Sequence, residues 1–166
     1  MHQDFADRIA AVDWTAFRTA YGRADAVPDQ LLRLASPDQA TALNASHELW
    51  CGLCHQHVQV GTAVLPALPF ILEVMQAGDE SLVYEILDII LGFAKGVSRN
   101  RYVDFQKALG REPQPDPEWV IALRMLLLNE AERFRALGTH SNSYIAESAN
   151  SIVQELSAEE WPRTIG

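Results

Sequence analysis

The chain has few of the residues that carry redox and metal chemistry: two cysteines, Cys51 and Cys54, and five histidines in 166 positions. Two cysteines three apart do not make a disulfide framework, so they are expected as free thiols. Positive charge is also scarce. Lysine and arginine number 13 against 22 aspartate and glutamate, giving a formal charge of -9 and a pI near 4.9. Such a field repels phosphate backbones and anionic headgroups, which excludes nucleic acid as an expected partner and favours a basic protein. Long apolar runs are missing as well. The stretch "TAVLPALPFIL" is about half of the roughly 20 residues a membrane-spanning helix needs, and prolines interrupt it. The opening "MHQDFADRIAAVDW" has acidic residues where an export signal is basic and lacks the apolar centre of one. The expected setting is cytoplasmic, away from a membrane.

With 48% hydrophobic and 21% charged residues, the chain falls within the range of folded globular proteins. Its apolar residues recur at helical spacing. In "DESLVYEILDIILGFAKG", Leu82, Val83, Ile86, Leu87, Ile90, Phe93 and Ala94 form one stripe, with Tyr84, Glu85 and Asp88 opposite. Asp79 is placed to cap this helix, and Gly96 to end it. Upstream, "SPDQATALNASHELWCGL" has Ser36 as a candidate N-cap, Pro37 at the first helical position and Gln39 at the capping-box position. "VGTAVLPALPFILEVMQAG" reads as a helix to about Ala77 with Pro66 and Pro69 in its first turns. "DPEWVIALRMLLLNEAERFRALG" carries Val120, Leu123, Leu127, Ala131 and Phe134 on one face, and Ile145, Ala149, Ile152 and Leu156 mark a last helix. Alternating β-branched runs are missing, so a sheet is not expected. The fold class is all-α, one domain over residues 1–166.

Pairing 37–54 with 62–77 and 80–95 with 117–137 predicts stacked helical hairpins, a HEAT-like α-α superhelix, with an irregular helical bundle as the alternative. A long connection at about 96–116 breaks the pattern. It holds Arg99, Arg101, Tyr102, Lys107 and Arg111, and "RYVDFQKAL" within it suits a short helix.

"LWCGLCHQHV" invites three chemical readings. A thioredoxin-type site needs its first cysteine at a helix N-terminus, where the dipole lowers the thiol pKa, but Cys51 falls late in a helix. Haem attachment needs an oxidising compartment and a distal ligand, for which the sequence gives no signal. Zinc is the stronger rival, because His47, Cys51 and His55 follow i, i+4, i+8 with Cys54 and His57 close by. Against it, every candidate ligand is local, whereas structural zinc sites clamp separated parts of a chain. The expectation is therefore no cofactor, with His47, Cys51, Cys54 and His55 as the metal alternative. Gly-rich phosphate loops, His-Glu-x-x-His and Gly-x-Ser-x-Gly are missing, so an enzyme is not expected.

"FRTAYGRADAVPDQLLRLASPD", "ALNASHELWCGLCHQ" and "GTAVLPALPFILEVM" together resemble a group of bacterial HEAT-like proteins with "AYG", "VP", "LW", "HQ" and "PFL" segments in this order, over about Trp14 to Phe93. The resemblance implies that Tyr21, Gly22, Pro28, Trp50, His55, Gln56, Pro69 and Phe70 define the fold, with His55 and Gln56 at a helix-helix joint. His57 and Val58 stand where the group has Gly-Thr. Some proteins of this type look like immunity proteins of polymorphic toxin systems. That implies a non-catalytic module neutralising a basic toxin domain by occlusion; the alternatives are the small metal-dependent protein above and a self-assembling homo-oligomer. Tyr84, Glu85, Asp88, Arg99, Arg101 and Tyr102 are the candidate partner-binding residues, because tyrosine and arginine favour interface hot spots.

Overall fold

The amphipathic stripes fold into helices packed face to face in the computed structural model, which describes residues 2–158; the side chains at 2, 56 and 58 lie outside the described part. The class is all-α, with nine α-helices among the described residues. Helix α1 (His2–Ala10) turns Phe5 and Ile9 inward. A 3-10 turn at Trp14–Ala16 follows, fixed by the Trp14 indole donating to the carbonyl of Ile9 at 2.9 Å.

Next comes a small antiparallel ribbon that the sequence did not announce: β1 (Arg18–Thr19) pairs with β2 (Gly22–Arg23). Two-residue strands are too short for an alternating pattern to register. The turn closes because Gly22 adopts φ +132°, open to glycine and strained for other residues.

Helix α2 (Val27–Leu34) begins with Pro28 in its first turn and buries Val27, Leu31 and Leu34. Helix α3 (Gln39–Val58) starts two residues later and ends four later than its sequence pattern suggests. Its cap is Asp38, whose carboxylate accepts from the Thr41 amide at 2.9 Å, while Ser36 instead accepts from the Asp38 amide. Both are cap-forming residues, and the one nearer the first helical turn takes the role. Helix α4 (Val64–Ala77) holds Pro66 in its first turn and Pro69 inside. Helix α5 (Glu80–Gly96) is capped by Asp79, as its sequence predicts, and buries Leu82, Ile86, Leu87, Ile90, Phe93 and Ala94.

The 96–116 connection contains helix α6 (Arg99–Ala108), capped by Ser98. The region expected as one helix over 117–137 is instead two, α7 (Glu118–Asn129) and α8 (Ala131–Leu137), broken at Glu130. The apolar stripe survives the break, since Leu123, Leu127, Ala131 and Phe134 are all buried. Helix α9 (Ser143–Ser157) is capped by Asn142 and buries Ile145, Ala149, Ile152 and Leu156.

Helical hairpins stack side by side, but in a register shifted by one helix from the sequence pairing. Helix α3 packs chiefly on α2 and α5, α4 on α2, α5 and α7, and α8 on α9. The hairpins are thus α2/α3, α4/α5 and α8/α9. Gln39 reaches Asp79 where α3 and α5 begin, and Cys54 meets Gly92 near where both end, so the two helices run parallel. Glu80 reaches Asn142 where α5 and α9 begin, which puts α9 parallel to them. Side by side, α3, α5 and α9 make one layer, with α2, α4 and α7 behind it. A single cluster of buried side chains extends from Phe5 to Leu156.

Candidate partner-binding face

The outward side of the α3/α5/α9 layer carries the exposed Tyr84, Tyr144 and His47. On α5, Leu82, Ile86, Ile90 and Phe93 point into the core, so at 100° per residue Tyr84 and Asp88 point away from it. Tyr84 is 40% exposed and stands edge-on to Tyr144 of α9, which is 67% exposed, at 6.2 Å between ring centres. Glu85 and Asp88 are half-buried, and Glu85 has no ion-pair partner among the described residues. On α3 the inward set is Ala42, Ala45, Leu49 and Leu53, which leaves His47 and Cys51 outward.

His47 lies parallel to the Trp50 ring at 6.0 Å, and its Nε2 is 3.8 Å from the Cys51 sulfur. Beyond Cys51, the His55 Nδ1 is hydrogen-bonded by the Tyr21 hydroxyl, the rings meeting edge to face at 5.1 Å. That contact brings the ribbon tip onto the end of α3. Tyr21 itself is largely exposed, and His55 lies within the last turn of α3 rather than in a joint. The Gln56 side chain is outside the described residues.

Between α3 and α5 sits a polar knot that the sequence reading did not select. His57 takes φ +62°, the left-handed backbone that ends the helix, and its ring turns back between Trp50, Asp88 and Lys95. Nε2 lies 3.2 Å from both the carboxylate and the carbonyl of Asp88, and Nδ1 lies 3.4 Å from the Lys95 ammonium. The Trp50 indole N–H is also directed at Nε2, at 3.3 Å, so a donor and the Asp88 acceptors compete for that one ring nitrogen while Nδ1 faces Lys95. Gly92 makes the close approach of the helices fit, since a Cβ there would stand 2.6 Å from the Cys54 sulfur and 2.8 Å from the His57 ring. His57 had a weak sequence signal, its place beside the cysteines, whereas the i+31 reach to Asp88 had none.

Cys51 and Cys54 are both free thiols well inside α3, far from the helix start that a thioredoxin-type site requires. Cys54 is buried and donates to the Trp50 carbonyl at 3.2 Å. Burial, with the charge of Asp88 adding to it, pushes its thiol up to about 12, so it stays protonated at neutral pH. The four sequence candidates for a metal are thus divided: Cys54 faces the core, His55 is held by Tyr21, and His47 and Cys51 face outward together. No group of three or more His, Cys, Asp or Glu side chains is placed to hold a metal ion among the described residues.

Arg99, Arg101 and Tyr102 are tied into the fold. Arg99 stacks on Tyr102 at 5.3 Å and donates to the Gln114 carbonyl and to Asp116. Arg101 makes a two-nitrogen contact with Glu155 of α9, and the Tyr102 hydroxyl accepts from the Gln114 amide. These contacts fasten the 96–116 connection at the far end of the layer, apart from Tyr84 and Glu85. The buried Arg124, which donates to the Val97 carbonyl at 2.5 Å and to Asp116, completes that fastening.

Elsewhere, a cleft of about 320 Å³ near the start of α3 is lined by Phe5, Leu34, Ala42, Val74 and Leu82. Its carboxylates are already engaged, Glu73 by Arg8 and Asp79 as the α5 cap, and it contains none of the candidate partner-binding or metal-ligating residues. On the opposite layer, Ile121, Met125 and Leu126 form an exposed apolar stripe on α7. No helix among the described residues is long and apolar enough to cross a membrane. Compared with protein-family models, curated proteins and solved structures, the chain has no significant match.

Proposed function

We propose that this protein is a non-catalytic binding module that engages a basic protein domain through the outward face of α3, α5 and α9. The observation that carries the reading is the exposed Tyr84/Tyr144 pair beside Glu85, Asp88 and Glu147 on a layer of packed helices. Tyrosines presented on a rigid scaffold supply contact area at small entropic cost, and an acidic surround attracts a basic partner and speeds encounter. Nucleic acid and membrane are outside this reading, and the net charge of -9 favours a partner of opposite sign.

More specifically, the partner is a toxin domain in the cytoplasm, neutralised by occlusion. The resemblance of residues 14–93 to a group of bacterial HEAT-like proteins, some of which look like immunity proteins, supports that choice, as does the chain's lack of a catalytic motif. Affinity capture of the tagged protein from a lysate of its source, followed by mass spectrometry, tests the reading. A basic partner recovered near one-to-one, released by salt, and toxic unless this protein is co-expressed is the expected result. Recovery of the protein alone across several growth conditions would overturn it.

A further inference from the structure

We propose that His47 and Cys51 form half of a zinc site that a second copy of this chain completes, giving a two-fold dimer joined by one His2Cys2 zinc. Both side chains leave the middle of α3, one turn apart, where the helical backbone is already fixed. His47 is exposed and Cys51 partly so, which opens the pair to solvent. The His47 ring is oriented by its parallel contact with Trp50, and that orientation aims Nε2 at the sulfur.

The separation fits a shared metal. Zinc takes sulfur at about 2.3 Å and imidazole nitrogen at about 2.0 Å in tetrahedral geometry, which sets the two donors roughly 3.5 Å apart. The observed 3.8 Å needs only a slight rotamer adjustment. Imidazole with thiolate is a donor set that suits zinc, while magnesium and calcium prefer oxygen. Zinc binding replaces the thiol proton of each of the two Cys51 residues, and both protons leave to solvent, so no redox step is involved.

Two ligands do not close a tetrahedral structural site, and no third is placed beside them among the described residues. Cys54 is buried and protonated, and no larger ligand cluster gathers among the described residues. Two-fold symmetry supplies the missing pair, because an isologous contact brings the same patch from each copy to the axis. Two chains of charge -9 repel, and a centre of zinc, two thiolates and two imidazoles is itself neutral, so the coordination bonds must hold the copies together against that repulsion.

Zinc titration of the full chain, kept reduced with a phosphine and followed by sedimentation velocity, tests this. The mass is expected to double as zinc reaches one ion per two chains. Cobalt in place of zinc is expected to give a tetrahedral spectrum with thiolate charge transfer from two sulfurs per metal. Cys51→Ser and His47→Gln should each abolish both effects while circular dichroism stays unchanged, and His55→Gln should retain them. A chain that stays monomeric at all zinc concentrations, that binds one zinc per chain without doubling, or that still doubles in Cys51→Ser overturns the proposal.

Discussion

Replacing Asp116 by alanine should be among the most damaging single changes in this fold, although the residue lies in a connection. Its carboxylate is 15% exposed and accepts from both Arg99 and Arg124, and the Arg124 side chain is only 7% exposed. Removing it takes the Asp116 ion pair away from the buried Arg124 guanidinium, whose bond to the Val97 carbonyl remains. Breaking a buried pair from one side costs about 3–5 kcal/mol. The Arg99 side of the cluster is partly open to water, so the lower end, about 3 kcal/mol, is expected. At roughly 2–4 °C per kcal/mol for a chain of this size, the melting temperature should fall by about 6–12 °C. Urea unfolding followed by tryptophan fluorescence measures it, read as a shift in midpoint at constant slope. The Arg101 and Glu155 pair, in which the arginine is 55% exposed and the glutamate 18%, provides the contrast: Arg101→Ala removes the solvated partner and should cost clearly less than Asp116→Ala, about 1 kcal/mol. The double change Asp116→Leu with Arg124→Met removes both charges and should cost clearly less than Asp116→Ala. A cost below about 1 kcal/mol for Asp116→Ala, or a double variant as damaged as the sum of its singles, would refute the reasoning.

Other outcomes follow from the same structure. A thiol reagent at mildly alkaline pH should modify one thiol per folded chain and two after denaturation, because burial holds Cys54 protonated; two fast thiols in the folded chain would contradict this. Glu48 is held below the usual carboxylate range chiefly by its hydrogen bonds from Arg33. A depressed carboxylate binds its proton less readily folded than unfolded, so its contribution is complete above about pH 4.3 and is lost as pH falls through the folded value. Glu48→Gln should therefore flatten the acid limb of a stability-against-pH curve, and an unchanged limb would speak against the pair. Gly92→Val should separate α3 from α5 at the His57 knot, costing more than about 2 kcal/mol by overpacking, measurable by thermal melting; a neutral effect would mean the helices do not meet there.

Much of the helical framework can be read from spacing. The α5 stripe, its Asp79 cap and the last helix reflect local periodicity and capping, which act within a few residues of each other. Ser36 is the cap expected for α3 and Asp38 takes the role instead; both residue types are competent caps, and only the backbone geometry chooses between them. The hairpin register was not legible, because periodicity reveals which face a helix buries and not which helix covers it. That is why α3 and α5, separated by α4 in the chain, become parallel neighbours.

The candidate site divides along the same line. Tyr84, Glu85 and Asp88 were selected as the polar side of α5 and lie there, while Tyr144 and His57 join them only through packing of separate helices. Arg99, Arg101 and Tyr102 were selected as partner-binding residues in a connection where only a short helix was expected. Their partners Gln114, Asp116 and Glu155 lie 12 to 54 residues away.

The most direct test of the binding face compares variants of the two layers against the captured partner in a calorimetric or surface-binding assay. Tyr84→Ala and Tyr144→Ala should each weaken binding by at least about 30-fold, as hot-spot tyrosines do. Met125→Ser and Leu126→Ser on α7 should leave affinity unchanged. Full affinity in both tyrosine variants, with loss in the α7 variants, would contradict the account and move the partner to the opposite layer.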